Sequence, residues 1–78
     1  MSTTLTRAAD TRVGGRLMEA RLACGLAQAQ FAEQLGLDEQ DVAEFERGAV
    51  RTPPEVLYNA AQFFGRPLSW LFGPLPTS

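Results

Sequence analysis

Apolar residues recur at helical spacing in short stretches that glycine punctuates. Val13, Leu17, Ala20 and Cys24 fall on one stripe, which predicts a first helix over 12–24 stopped by Gly25. Phe31, Ala32 and Leu35 predict a second over 28–35, stopped by Gly36. Val42 and Phe45 give a third helix, 38–47, its inward stripe. Asp38 is suited to the N-cap of that helix, and Asp41 puts negative charge in a first turn whose dipole favours it. Leu57, Ala60, Ala61 and Phe64 mark a fourth helix ending at Gly65, announced by Thr52, by Glu55 three residues on and by proline at the first helical position. Pro67 opens a last short helix, 68–72, which Gly73 closes. Residues 1–11 are polar and aperiodic and read as a flexible N-terminal arm, and 74–78 as a flexible tail. The expected architecture is therefore all-α: five helices with short connections over 12–73, without a strand pattern, repeat or linker.

The stretch 28–48 is the centre of this arrangement. Two helices joined by a tight glycine turn, each apolar on one side only, make a helix-turn-helix that other helices must cover. The outer face of its second helix is left free to recognise something. Gly14 and Gly15 are expected to weaken the opening turn of the first helix, each by about 1 kcal/mol relative to alanine in a helix interior. Cys24 is expected to be a small buried hydrophobe. Trp70, Leu71 and Phe72 are the lid of the core, a dimer patch, or both.

With 78 residues, 45% hydrophobic and 21% charged, the chain has the composition of one small globular domain. No apolar run is long enough to span a membrane, and 1–10 lacks the apolar core of a secretory signal, so the expected address is cytoplasmic. Cys24 alone can form neither an internal disulfide nor a metal cluster. With no histidine, a single cysteine and no glycine-rich phosphate loop, an enzyme is not expected and stands as a distant fourth reading, and no cofactor or small-molecule ligand is indicated. Asp38, Glu39 and Asp41 lack calcium-loop spacing and read as solvated carboxylates.

Charge complicates the picture. The net charge is −2, but it is unevenly spread: residues 1–27 carry Arg7, Arg12, Arg16 and Arg21 against Asp10 and Glu19. Residues 28–46 carry Glu33, Asp38, Glu39, Asp41, Glu44 and Glu46 with no base, and 47–78 carry Arg47, Arg51 and Arg66 against Glu55. Every basic residue is arginine, which suits bidentate phosphate contacts and would equally follow from a GC-rich genome.

Gln28, Ala32, Gly36, Val42 and Phe45, followed by Glu46–Arg47–Gly48, form a specific pattern, and Leu68–Ser69–Trp70–Leu71–Phe72–Gly73 closes it. In these residues the chain resembles the lambda-repressor/Cro-like helix-turn-helix regulators of the xenobiotic-response-element type, over about Val13 to Gly73. The resemblance implies a lambda-repressor-like DNA-binding domain whose helix 38–47 enters the major groove of double-stranded DNA. Carried over by position, Glu39, Gln40 and Glu44 would face bases, and Gln28 would touch the phosphate backbone and brace the recognition helix. Arg47 and Arg51 would lie along the sugar-phosphate chain, and Arg21 and Glu46 would form a structural ion pair. Such regulators act on two-fold sites, which implies a homodimer.

Two departures stand out. Ala27 occupies the position where the family has a serine or threonine cap, a loss of about 1 kcal/mol. The recognition face carries Asp38, Glu39, Asp41 and Glu44 where relatives present neutral or basic groups, and carboxylates oppose the phosphate term of DNA affinity. Three readings accommodate this face. Gln40 contacts adenine and Glu39 or Glu44 accepts from cytosine N4; or the acidic helix docks on a basic protein partner such as another regulator, RNA polymerase or a toxin; or the face is merely solvated.

Overall fold

The structure is a computed structural model that describes the backbone of residues 2–73 and the side chains of residues 9–73; the tail expected at 74–78 lies outside the described residues. Five helices follow in order: α1 (Ser2–Ala23), α2 (Gln28–Leu35), α3 (Glu39–Arg47), α4 (Pro54–Phe64) and α5 (Leu68–Phe72). Among the described residues there is no strand.

The helix-turn-helix is built as its glycines require. Gly36 takes φ 71°, a left-handed conformation that costs a residue with a Cβ about 1–2 kcal/mol. Its turn lets the Leu37 N–H reach back to the Ala32 carbonyl at 2.8 Å, so the chain reverses with its last helical carbonyls satisfied. Asp38 then stands at the N-cap of α3 in extended conformation, and Asp41 Oδ2 accepts from the Asp38 N–H at 3.2 Å. At α2, Ala27 has no side chain able to cap, but Gln30 supplies the other half of a capping box: its Oε1 accepts from the Ala27 N–H at 2.8 Å.

Leu17, Phe31, Val42 and Leu71 are the largest fully buried side chains, one from each of α1, α2, α3 and α5. Val56, Leu57, Ala60 and Ala61 close the core from α4. Phe31 stacks on Phe64 at 5.0 Å between ring centroids and meets Phe63 at 5.9 Å, so α2 is clamped to the end of α4 by aromatic contact. Leu71 makes α5 the lid of the core. Trp70 beside it is covered by two guanidiniums, Arg16 at 4.6 Å and Arg66 at 4.2 Å from the ring centre.

Four expectations are corrected. The first helix begins at Ser2 rather than near Arg12, so residues 2–11 are helical. No glycine or proline interrupts them, and contacts with the segment after α3 engage their end: Asp10 Oδ1 lies 3.4 Å from Arg51 Nε, and Thr11 abuts Gly48. Gly14 thus sits in mid-helix, where its role is close packing. A Cβ there would lie 2.2 Å from the Phe45 carbonyl oxygen and 2.7 Å from that of Glu46, so α1 and α3 cross backbone against backbone. Cys24 is exposed, because α1 ends at Ala23 and the stripe that would have carried it inward has already stopped. Finally, Pro53 rather than Thr52 is the N-cap of α4, Pro54 is its first residue, and Thr52 is buried one position earlier.

Candidate nucleic-acid interface

The two sides of α3 differ in kind. Val42, Phe45 and Glu46 are buried, whereas Glu39, Gln40 and Arg47 are exposed and Glu44 is half-buried. The helix presents its polar face because its apolar one is consumed by α1 and α2.

Glu46 holds that orientation. Its side chain is 2% exposed and accepts three hydrogen bonds: from Arg21 Nε at 2.7 Å, from Arg21 Nη2 at 3.0 Å and from Gln28 Nε2 at 3.0 Å. Arg21 Nη1 also donates to the Leu26 carbonyl at 2.7 Å, which ties in the turn between α1 and α2. A paired, fully bonded charge is the form in which a carboxylate can be buried. The network joins the end of α1, the start of α2 and the last turn of α3. The rotation of α3 about its own axis is thereby fixed.

On the outer face, Gln40 Nε2 donates to Glu44 Oε2 at 3.2 Å, one turn along the helix, while Glu39 stands exposed beside them. Arg47 closes the helix on its exposed side. Arg51 lies in the segment that follows, its side chain 65% exposed but drawn to Asp10. The structure therefore brings Glu39, Gln40 and Glu44 onto one surface and places Gln28 at its inner edge. Arg51 is set apart, against α1. Asp10 is the group that sequence reasoning did not single out here, since nothing in its neighbourhood along the chain signals a contact with residue 51. Gln30 is another, and a glutamine three positions after Ala27 was its visible signal.

The chain is similar to known proteins over most of its length. The family described as Helix-turn-helix (HTH_3) matches residues 17–71. An HTH-type transcriptional regulator of Sinorhizobium medicae is 31% identical over 67 residues, which cover 86% of this chain and 48% of that protein. A transcriptional regulator encoded in the ATPase CF(0) region of Rhodospirillum rubrum is 32% identical over 66 residues, 85% of this chain and 61% of that one. The chain thus spans 48% to 61% of the length of these relatives. Among solved structures, the restriction-modification controller protein C.AhdI of Aeromonas hydrophila superposes with TM-score 0.77 at 32% identity, over 85% of this chain and 96% of its own. Bacillus thuringiensis PlcR, solved with the peptide PapR7 and DNA, shares the fold with TM-score 0.73 at 24% identity, over 85% of this chain and 23% of its own. No described helix is long and apolar enough to cross a membrane.

Proposed function

The chain belongs to the Cro/C1-type helix-turn-helix family of transcriptional regulators, and from that premise we propose that it is a sequence-specific regulator that lays α3 in the major groove of double-stranded DNA as a homodimer. The observation that carries the reading is the Glu46 network, which leaves Glu39, Gln40 and Glu44 on a rigidly oriented outer face. A recognition helix needs such a fixed rotation, since a base contact tolerates little misplacement. Gln28, Arg47 and Arg51 serve as the phosphate contacts of this reading. Dimerisation draws support from large apolar side chains left in solvent on α4 and α5, namely Tyr58, Phe63, Leu68 and Phe72. It would double the contact made by a small, acidic module.

The test is a titration of the purified protein against fragments of its own genome, its own promoter included, at about 50 and about 200 mM salt. One fragment bound tightly and weakened by added salt is the expected result. Failure to bind any fragment at the lower salt overturns the reading for the chain alone. Sedimentation of the bound complex checks the dimer: one protomer per site would refute it.

A further inference from the structure

Ahead of Arg47 in its last turn, the polar side chains on the outer face of α3 are two carboxylates, Glu39 and Glu44, and one amide, Gln40, so acceptors predominate there. Glu39 and Glu44 carry carboxylates, which as anions accept and do not donate. Gln40 could present either end of its amide, but Glu44 cannot donate to it, so the amide nitrogen is the end that meets Glu44 Oε2 at 3.2 Å. That turns the Gln40 carbonyl oxygen away from Glu44 and leaves one amide N–H over. No arginine or lysine occurs between residues 28 and 46, so nothing on the first turns of α3 can bridge guanine O6 and N7. In the major groove the donors are adenine N6 and cytosine N4, while guanine and thymine offer acceptors. Acceptors set against acceptors repel.

We infer that α3 reads exocyclic amino groups: the half-site carries a short run of adenine and cytosine on one strand beneath Glu39, Gln40 and Glu44, and methylation of those amino nitrogens blocks recognition. The inference rests on the DNA-binding reading above. An amino group in a base pair uses one hydrogen for pairing and turns the other into the groove. A methyl group that preserves pairing replaces the second hydrogen, so the donor is lost and an apolar group faces the carboxylates. A methyl at cytosine C5 leaves the N4 donor in place. Gln40, with its carbonyl accepting from N6 and its remaining N–H available to N7, suits adenine, and the two glutamates suit cytosine.

The experiment begins with selection of binding sites by the whole chain from a pool of randomised duplexes. The selected site is then made unmodified, with N6-methyladenine or N4-methylcytosine at the enriched positions, and with 5-methylcytosine. Amino-group methylation is expected to weaken binding about tenfold or more, and C5 methylation by less than about twofold. In parallel, Glu39→Arg, at an exposed position whose retained helicity circular dichroism verifies, is expected to move the preference at one position from cytosine to guanine. A selected site that tolerates amino methylation, or a base preference that Glu39→Arg leaves unchanged, overturns the acceptor reading while DNA binding stands. A pool from which nothing is enriched overturns the DNA-binding proposal itself.

Discussion

Glu46 shows how much a single side chain can carry. Its carboxylate satisfies the Arg21 guanidinium and the Gln28 amide in a space nearly closed to water. Glu46→Ala would leave the guanidinium buried without a counter-charge, at a cost of about 3–5 kcal/mol. Domains of this kind have only about 5–15 kcal/mol in total, so urea denaturation should find the variant's midpoint well below that of the parent. Gln28→Ala removes one hydrogen bond to a charged acceptor and should cost less, about 1.5–3 kcal/mol. If the two variants lose equal stability, the burial argument for Glu46 is wrong. Ala27 lies at the other extreme. Its backbone, at φ −78° and ψ 162°, already has the extended geometry of a cap, so Ala27→Ser should supply the missing acceptor and stabilise by about 0.5–2 kcal/mol. A thermal melt should show this as a higher midpoint.

At the scale of the elements, the crossing of α1 over α3 decides how close α3 can lie to the rest of the molecule. A glycine in mid-helix ordinarily invites replacement by alanine, which gains about 1 kcal/mol. Gly14→Ala should do the reverse, because the new Cβ would meet the carbonyl oxygens of Phe45 and Glu46, and backbone cannot step aside as a flexible side chain can. A loss of about 1–3 kcal/mol in denaturant titration is expected, together with weaker DNA binding as α3 is pushed off its place. The boundaries of α2, α3 and α5 were legible from the spacing of apolar residues and the glycine stops, since a short amphipathic helix states both its face and its end locally. The start of α1 was not. Residues 2–11 have no inward stripe, and the contacts made by Asp10 and Thr11 lie with residues about forty positions away.

Over the whole molecule, charge is distributed so that the outer face of α3 is acidic, and in the proposed reading the phosphate contacts fall to its margins. Arg51 is one of these groups in the proposed reading, and its Nε lies 3.4 Å from Asp10 Oδ1. Asp10 is half-buried, but its partner is mostly in solvent and screened by it, so a pair of this kind contributes about 0–1 kcal/mol to stability and Asp10→Asn should leave the fold nearly unchanged. It should raise DNA affinity for all sequences alike by freeing a guanidinium for phosphate. Arg51→Ala should lower affinity uniformly and reduce the slope of log affinity against log salt by about one. Fluorescence anisotropy on a specific and a scrambled duplex checks both, and an effect confined to the specific duplex would exclude a phosphate role.

The order of the helices, the residues that turn inward apart from Cys24, and the identity of the helix-turn-helix were readable from the chain alone, because these depend on periodicity and turn chemistry within a few residues. The acidic character of α3 was equally plain. The pairing of Arg21 with Glu46 and the bracing by Gln28 were expected only through the family resemblance, and two other contacts between distant positions were open to no local reading: Asp10 reaching Arg51, and Gly14 packed beneath the carbonyls of α3. Each depends on how two helices approach, and that geometry is set by the packing of the whole core rather than by the spacing of residues along any one of them.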